Sequence, residues 1–315
     1  MISKSSRIFV AGHKGLVGSS IIRKLKKNNY TFVITRTKKN LDLRNHKKVD
    51  NFFKKEKIDY VILAAAKVGG ILANMKYGAD FLTENLQIQT NVITACHKYK
   101  IKGLVYLGSS CIYPKFAKQP IKEDQLLTGE LEPTNQGYAI AKIAGLMMCK
   151  NFNIQYKTNF KCLMPSNLFG PNDNYNLVNS HFLPAVIKKL YFAKINNKKE
   201  VIFWGTGKVK REMTYVDEIA EACIFFLSKK TKHTLINIGS GYEKTIKQYI
   251  KMVAKELKLN INIKFNHDKS LDGTKRKIVD CRIARSYGWK PKYNFNKYLK
   301  LCVDDFILNH KKYKN

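Results

Sequence analysis

The chain has 315 residues, of which 44% are hydrophobic and 26% are charged, and its formal net charge at pH 7 is +35. A hydrophobic share of this size argues against a disordered chain, and no apolar run is long enough to span a bilayer. The length allows one large domain or two modest ones. We therefore expect a folded protein that does not enter the membrane.

The basic residues are spread along the whole chain, from Lys24 to Lys314, and most of them are lysines. A nucleic-acid site more often shows a local arginine-rich patch with interleaved aromatic residues. Lysine, asparagine and isoleucine share A- and T-rich codons, so we interpret the charge as compositional bias and expect no specific nucleic-acid partner. The positive field could still attract a charged nucleotide ligand.

The seven cysteines are scattered and form no CxxC pair. The odd count and the spacing argue against a disulfide framework and against a zinc site. We therefore expect no metal, and we expect the protein in the reducing environment of the cytoplasm.

Short apolar runs alternate with amphipathic stretches through the first half of the chain. The pattern predicts strands at 7–11, 31–35, 60–66, 103–110 and 160–167, and helices at 17–27, 46–56, 80–99 and 138–153. Repeated strand–helix units of this kind indicate an α/β fold, a Rossmann-like doubly wound parallel sheet. The less regular remainder predicts a smaller C-terminal α/β substrate domain. We expect residues 1–170 and about 214–240 in the first domain, and 171–213 and 241–315 in the second.

Three glycines, Gly12, Gly15 and Gly18, follow the first strand at the start of a helix. Glycine permits a tight turn and lets a diphosphate approach the helix N-terminus, where free N–H groups favour negative charge. The strand before and the helix after make the GxxGxxG spacing a dinucleotide-binding signal. The alternative is close helix–strand packing without a ligand.

The end of the second strand bears on the choice of cofactor. An NAD site usually places an acidic residue there to bind the ribose 2′-hydroxyl. This chain instead offers Arg36 and Lys38, with no acid before Asp42, and Lys14 lies inside the glycine loop. We therefore predict NADPH rather than NADH, although these could be ordinary surface residues of a lysine-rich chain.

Tyr138 and Lys142 are spaced i and i+4 on one face of a predicted helix. A nearby ammonium group stabilises a phenolate and makes the tyrosine a usable acid or base nearer neutral pH. Ser109 or Ser110, at a strand end, could hydrogen-bond a substrate oxygen beside the phenol. The combination suits the reduction of a ketone.

Several motifs then resemble a known family. They are GHKGLVG, AAAKVGGI, LGSSCIYP, EPTNQGYAIAKIAG, NSHFLPA, MPSNLFGPND and DGTKRK. Over nearly the whole chain the sequence resembles the extended short-chain dehydrogenase/reductases, and more narrowly the 3,5-epimerase-4-reductases that act on a GDP-sugar. The resemblance implies NADPH-dependent conversion of GDP-4-keto-6-deoxy-D-mannose to GDP-L-fucose, by epimerisation at C3 and C5 and then reduction at C4.

The resemblance also implies roles for individual residues. Ser109, Tyr138 and Lys142 would form the reductase trio, and Cys111 and His181 would be the base and acid of epimerisation. From the residues alone, Cys111 could equally be a small buried side chain and His181 a helix cap. The implied cofactor-binding residues are Gly12, His13, Lys14, Gly15, Leu16, Val17, Gly18, Arg36, Lys38, Asp42, Leu107, Gly108, Ser109, Ser110, Tyr138, Lys142, Pro165, Ser166, Asn167, Leu168 and His181.

For the GDP-sugar, the resemblance implies Asn167, Lys189, Trp204, Arg211 and Asp272, although Trp204 could instead be plain core. Relatives pair through the two helices predicted at 80–99 and 138–153, which implies a homodimer. Lys14 and Lys38 stand where relatives often carry arginine, and lysine cannot make the bidentate fork. The preference for NADPH could therefore be weaker here.

Two other functions are compatible with parts of the sequence. Another nucleotide-sugar epimerase, dehydratase or reductase would share the fold, but C4 epimerases do not need both Cys111 and His181. A non-catalytic nucleotide- or RNA-binding protein would explain the charge, but it would have no reason to keep Ser109, Tyr138 and Lys142.

Overall fold

The computed structural model describes residues 2–176, 180–268 and 272–313. The strands are β1 (Ile8–Ala11), β2 (Val33–Ile34), β3 (Tyr60–Leu63), β4 (Gly103–Leu107), β5 (Phe160–Pro165), β6 (Asn167–Phe169), β7 (Glu200–Phe203), β8 (Lys210–Tyr215), β9 (Leu235–Ile238), β10 (Glu243–Thr245), β11 (Asn262–Phe265) and β12 (Arg276–Lys277). The α-helices are α1 (Leu16–Lys27), α2 (His46–Glu56), α3 (Ile71–Lys76), α4 (Gly78–Lys98), α5 (Gln136–Tyr156), α6 (Phe182–Ile195), α7 (Val216–Ser228), α8 (Ile246–Glu256), α9 (Arg282–Ser286) and α10 (Phe295–Asn309). Short 3-10 helices cover Ser110–Ile112, Glu123–Gln125, Pro133–Asn135 and His310–Tyr313.

Over the described residues, six parallel strands form the central sheet, in the order β2-β1-β3-β4-β5-β9. Its strands read as continuous apolar runs, such as IFVA in β1 and GLVYL in β4, because the sheet is buried on both faces. The predicted Rossmann-like fold is confirmed. Strand order reverses between β1 and β3, and ligands of such sheets bind at this point, outside the carboxyl ends of the strands.

Helices cover both faces of the central sheet. On one face, α2, α4 and α5 contribute Val49, Phe53, Val92 and Leu146 to a core with the sheet residue Val61. On the other face, α1 and α7 pack Ile21, Leu25, Ile219 and Phe226 against Ile62 and its neighbours. The α4–α5 pair therefore lies on the face opposite to α1 and α7.

A second layer contains β8, which pairs with β6, β10 and β12, and a two-stranded sheet of β7 and β11. Helices α6, α8 and α10 pack here around a third core that includes Leu190, Ile250 and Phe306. Glu212 on β8 is fully buried, and its carboxylate accepts backbone N–H bonds from Gly241 at 2.7 Å and Val279 at 3.0 Å. Burial raises the pKa of Glu212 to about 7.

Several predicted strands are shorter in the structure. The strand predicted at 103–110 ends at Leu107, and a 3-10 helix begins at Ser110 because the Ser109 side chain caps it. The strand predicted at 160–167 ends at Pro165, and Asn167 already belongs to β6 of the second sheet. Of the strand predicted at 31–35, only Val33–Ile34 pairs with β1.

Candidate active site

A continuous cleft of about 2690 Å³ lies between the carboxyl ends of the central strands and the second layer. Every site residue predicted from the sequence lines this cleft, although those residues span positions 12 to 272. The structure therefore brings together the glycine loop, the tyrosine–lysine pair, Cys111, His181 and the expected substrate residues.

The glycine loop turns directly from β1 into α1. Gly12 has a φ of +85°, which favours glycine, and Gly15 N donates to Gly12 O at 3.0 Å. An ideal Cβ on Gly18 would lie 2.0 Å from Gly12 O, so any side chain there would force the loop apart. These two glycines let the loop fold tightly onto the first turn of α1.

The loop fits a dinucleotide diphosphate. Gly15 is the N-cap of α1 and makes no side-chain capping bond, and the first turn contains no acidic residue. The first N–H groups of an α-helix have no partner within the helix, so here they are available to an anion. The Nδ1 atom of His13 is also buried without a hydrogen-bond partner. Lys14 is exposed at the rim of the same loop.

Two basic residues after β2, Arg36 and Lys38, lie close to carboxylates. Arg36 forms an ion pair with Glu56, and its Nη1 donates to Thr35 O at 2.8 Å. Lys38 Nζ lies 4.0 Å from Glu84. Arg36 and Lys38 remain at the edge of the cleft, where an anion would compete with these acids for the two cations.

Asp42 is paired with Arg44, a cleft residue that the sequence analysis did not single out. Arg44 Nη2 donates to Asp42 Oδ2 at 2.7 Å, and Nη1 donates to Glu84 at 3.0 Å. The hydrogen bond from Arg44 lowers the pKa of Asp42 to about 2. Asp42 is therefore ionised and matched by a guanidinium group, so it adds little net negative charge to this end of the cleft.

Ser109 and Cys111 stand on the turn that follows β4. The Ser109 Oγ accepts a hydrogen bond from Cys111 N at 3.3 Å, which starts the 3-10 helix and turns Cys111 towards the cleft. The Ser109 side chain also hydrogen-bonds Tyr138, which partly offsets the rise in the pKa of the phenol that burial causes. One serine therefore positions both the thiol and the phenol.

Lys142 is almost fully buried, and its Nζ donates to Leu107 O at 2.8 Å. The same Nζ lies 5.7 Å from the centre of the Tyr138 ring. Burial lowers the pKa of Lys142 to about 7. Burial also raises the pKa of Tyr138 above its usual value, and the neighbouring Cys111 adds to this shift. The expectation that Lys142 makes Tyr138 more acidic is wrong for the protein without ligands, because desolvation of the phenol dominates its pKa.

Two donors converge on the sulfur of Cys111. Asn135 Nδ2 lies 3.5 Å from Sγ, and Lys277 Nζ lies 3.7 Å from it. Sequence reasoning missed both residues, although each lies in a motif that carried the family resemblance. No local signal pairs Cys111 with Lys277, since 166 positions separate them.

His181 is the N-cap residue of α6, in agreement with the prediction that it could be a helix cap. Its side chain, however, makes no capping hydrogen bond. The ring lines the cleft, and desolvation there lowers the pKa of His181. An imidazole that does not cap its helix is available to a bound molecule.

The expected substrate residues lie at the far end of the cleft. Arg211 donates to the carbonyl oxygens of Thr274 at 2.6 Å and Asp272 at 2.9 Å, and burial lowers the pKa of its guanidinium. The Asp272 carboxylate accepts both the N–H and the hydroxyl of Thr206, at 2.8 and 2.7 Å. Trp204 is 62% exposed, so its alternative reading as core is wrong.

Lys189 donates to Ile202 O and stands over the Phe203 ring at 4.9 Å. Asn167 donates to Glu212 O at 3.1 Å, and Ser166 bonds Thr214 at 2.6 Å. The remaining expected cofactor residues line the cleft beside them: Leu107, Gly108, Ser110, Pro165 and Leu168. Among the described residues, no group of three or more His, Cys, Asp or Glu side chains is placed to hold a metal ion. No helix within those same ranges is long and apolar enough to cross a membrane.

A Rossmann sheet, an uncapped glycine-loop helix and a Ser-Tyr-Lys cluster in one cleft define a class of dinucleotide-dependent enzymes. The sequence profile of the NAD dependent epimerase/dehydratase family matches residues 8–239, and the chain belongs to this family. It is 48% identical to GDP-L-fucose synthase 1 of Arabidopsis thaliana over 309 residues, which are 98% of this chain and 95% of the relative. It is 40% identical to the GDP-L-fucose synthase of Escherichia coli (strain K12), over 98% of each protein. Within the family the chain therefore groups with the GDP-L-fucose synthases.

A solved structure shows the same fold. MlghC, a GDP-mannoheptose C4 reductase from Campylobacter jejuni with NADP bound, superposes with a TM-score of 0.89 at 36% identity. The match covers 98% of this chain and 100% of the other. The whole chain, including the second layer, thus shares its fold with an enzyme of this class.

Proposed function

We propose that this protein converts GDP-4-keto-6-deoxy-D-mannose to GDP-L-fucose with NADPH, by epimerisation at C3 and C5 followed by reduction of the C4 ketone. The observation that carries the proposal is the thiol of Cys111 beside Ser109 and Tyr138 in one cleft. Ketone reduction has no use for a thiol, whereas proton transfer beside the ketone does.

In the reduction, bound NADPH supplies the hydride to C4. Tyr138 donates its phenolic proton to the C4 oxygen, and its raised pKa keeps the phenol protonated at neutral pH until the oxygen becomes negative. Ser109 donates a second hydrogen bond to the same oxygen. Lys142 donates to Leu107 O and so fixes the end of β4, just before Ser109.

In the epimerisation, Cys111 takes a proton from the carbon beside the ketone, and the electron pair moves to the C4 oxygen. Tyr138 and Ser109 stabilise the resulting enolate as donors, so the same two groups serve both steps. His181 then returns a proton to the opposite face of the carbon. Its lowered pKa makes the protonated imidazole a stronger acid.

The nucleotide ends of the two ligands bind at opposite ends of the cleft. When NADPH is bound, the uncapped N-terminus of α1 would hold its diphosphate, and Arg36, Lys38 and Lys14 would hold its 2′-phosphate. Arg211 and Lys189 bind the GDP diphosphate as charge-assisted donors, and Trp204 stacks on the exposed side of the nucleotide. The remaining predicted residues line the two binding sites.

The chain divides into a cofactor domain, 1–170 with about 214–240, and a substrate domain, 171–213 with 241–315. The separate cores of the central sheet and of the second layer support two domains. Val279, Ala284 and Trp289 pack in a core of the central sheet, however, so this part of the C-terminal segment belongs with the cofactor domain. The protein acts in the cytoplasm, in keeping with seven cysteines that are all free. It forms a homodimer through α4 and α5.

The decisive experiment supplies the keto sugar and NADPH in deuterated water, follows absorbance at 340 nm and identifies the product. Wild-type protein should yield GDP-L-fucose with deuterium at C3 and C5. Tyr138→Phe should abolish oxidation of NADPH but leave the deuterium exchange detectable. Cys111→Ser should block the exchange and leave NADPH binding intact.

A second candidate is a C4 reductase that does not epimerise, because the structurally similar MlghC of Campylobacter jejuni is a GDP-mannoheptose C4 reductase. In that case NADPH would be consumed, the product would carry no deuterium at C3 or C5, and Cys111→Ser would have no effect. Normal turnover by Tyr138→Phe would contradict both candidates.

A further inference from the structure

Cys111 differs from every other cysteine of the chain in its accessibility. All seven cysteines lie in the described ranges, and six of them are buried, whereas Cys111 is partly exposed to the cleft. Burial of a thiol in apolar surroundings disfavours the thiolate. Cys111 alone is therefore placed to act as a base.

Lys277 reaches Cys111 from a rigid part of the second layer. It pairs in register with Arg211 across β12 and β8. The next residue, Ile278, donates to the Gln119 side chain at 2.9 Å and accepts from Ile121 N at 2.8 Å. These bonds join β12 to the segment that follows the Cys111 turn. The backbone at Lys277 is therefore fixed by β8 on one side and by that segment on the other.

Lys277 has no acidic partner among the described residues. Within the described part of the chain, no carboxylate oxygen lies within 4.0 Å of its Nζ, whereas Lys67 is paired with Asp80 at 2.9 Å and with Glu84 at 2.6 Å. The acceptor that Lys277 does reach is the Cys111 sulfur, at 3.7 Å. An ammonium group beside a sulfur favours the thiolate.

Asn135 supplies a second donor to the same sulfur, at 3.5 Å. A thiol is a weak acceptor, and two donors directed at one sulfur suit the charged form better. The Oδ1 atom of Asn135 is buried without a hydrogen-bond partner and remains available to a sugar hydroxyl. The cluster thus combines a base, two donors to it and one unused acceptor.

We propose that Lys277 is a positioning residue that, together with Asn135, holds Cys111 as a thiolate directed at the substrate. This inference rests on the proposed function and names the group that prepares its base. In the step, the C–H bond beside the ketone breaks, an S–H bond forms at Cys111, and the electron pair moves to the C4 oxygen. Lys277 keeps its proton throughout and loses only its charged neighbour.

The test is alkylation of the protein by iodoacetamide between pH 5 and 10, without sugar or cofactor. Iodoacetamide reacts with thiolates, and the six buried cysteines should react slowly, with Cys111→Ser as the background. Lys277→Met should move the midpoint of the pH profile upward by about one unit. Labelling at pH 7 should therefore slow about tenfold.

Lys277→Arg should keep most of the wild-type profile, because it keeps the charge. Lys275→Met is the matched control: it removes one exposed positive charge two residues away, and Lys275 does not line the cleft. Its profile should match that of the wild type. Lys277→Gln repeats the test with a polar side chain if the methionine variant does not fold.

An unchanged midpoint in both Lys277→Met and Lys277→Gln would overturn the inference. So would loss of deuterium exchange at C3 and C5 without any change in alkylation, since Lys277 would then act on the substrate. A shifted midpoint in a protein that does not convert the keto sugar would support the Lys277–Cys111 pair while rejecting the proposed function.

Discussion

At the scale of single residues, Lys142 shows how burial changes the chemistry that spacing suggests. The i, i+4 spacing correctly placed Lys142 near Tyr138, at 5.7 Å from the ring centre. Spacing carries no information on solvent, so it could not predict that burial lowers the pKa of the lysine and raises that of the tyrosine. The phenol is consequently better suited to donating a proton than to removing one.

Replacing Lys142 by methionine should stabilise the protein more at low pH than at high pH. The pKa of Lys142 is about 7 in the folded protein and about 10.4 in an unfolded chain. Between these values the unfolded chain binds more protons, so the free energy of unfolding of the wild type rises with pH. Below pH 7 Lys142 is charged in the folded protein, so burial of this charge lowers the free energy of unfolding of the wild type by its full amount. The methionine variant has no such charge.

Thermal unfolding of Lys142→Met and wild type at pH 6 and pH 9 measures this difference. The loss of the bond to Leu107 O applies at both values, so the comparison between them carries the prediction. Lys150→Met, an exposed change on the same helix, should show no such dependence. An equal change in melting temperature for Lys142→Met at both pH values would contradict the assigned pKa.

The contacts of Cys111 mark the limit of sequence reasoning at this scale. The motif around Cys111 indicated proton chemistry, but Asn135 and Lys277 reach its sulfur only through the folded chain. Arg44 beside Asp42 was likewise missed, because a charged residue in a lysine-rich chain gives no distinct signal.

At the scale of elements, the glycine loop was the most predictable feature. A strand, three spaced glycines and a helix in sequence determine one local structure, and the observed β1–α1 turn follows it. The turn after β4 was less predictable, since LGSSCIYP reads as a strand until the Ser109 cap is known. The strand β5 ends early because the residues that follow form β6, which pairs with β8. The paired residues Asn167 and Met213 are 46 positions apart in the sequence, so no local pattern predicts this pairing.

The loop gives a matched pair of substitutions. Gly18→Ala places a Cβ 2.0 Å from Gly12 O and should lower the free energy of unfolding by about 1–3 kcal/mol. The nearest atom to a Cβ on Gly15 lies at 3.5 Å, and its φ of −76° is ordinary for any residue. Gly15→Ala should therefore change stability by about 0.5 kcal/mol or less.

Urea unfolding of the cofactor-free protein measures both substitutions, and NADPH fluorescence measures binding. Gly18→Ala should also lose affinity for NADPH, because the loop must open to relieve the clash. Equal stability of the two variants would show that the loop adapts freely and that the close approach of α1 is unimportant.

At the scale of the whole molecule, exposed apolar residues on α5 stand out on a protein with a net charge of +35. Ile140, Met147 and Ile154 recur every seven residues along α5, and Ile140 and Ile154 are exposed. Thr83 and Thr90 are on the neighbouring α4, where Thr90 is exposed. Repulsion between lysines opposes self-association elsewhere on the surface, so we propose that two copies meet at these apolar residues.

Sedimentation equilibrium should find a dimer for the wild type and a monomer for Ile154→Glu at low micromolar concentration. Ile154 is 59% exposed, so the change should not disturb the core of its own subunit. Leu308→Glu, at an 83% exposed position on α10, is the matched control and should remain dimeric. A monomeric wild type, or the same dissociation in both variants, would contradict the proposed interface.

The topology of the central sheet also bears on how the chain is made. Every residue of β5 is buried, and its outer neighbour β9 begins only at Leu235, 75 positions after β5 begins at Phe160. A ribosome therefore releases an apolar strand with an open edge well before its partner is synthesised. Such an edge pairs readily with other chains, so we expect the nascent protein to be more prone to aggregation before β9 is synthesised than after.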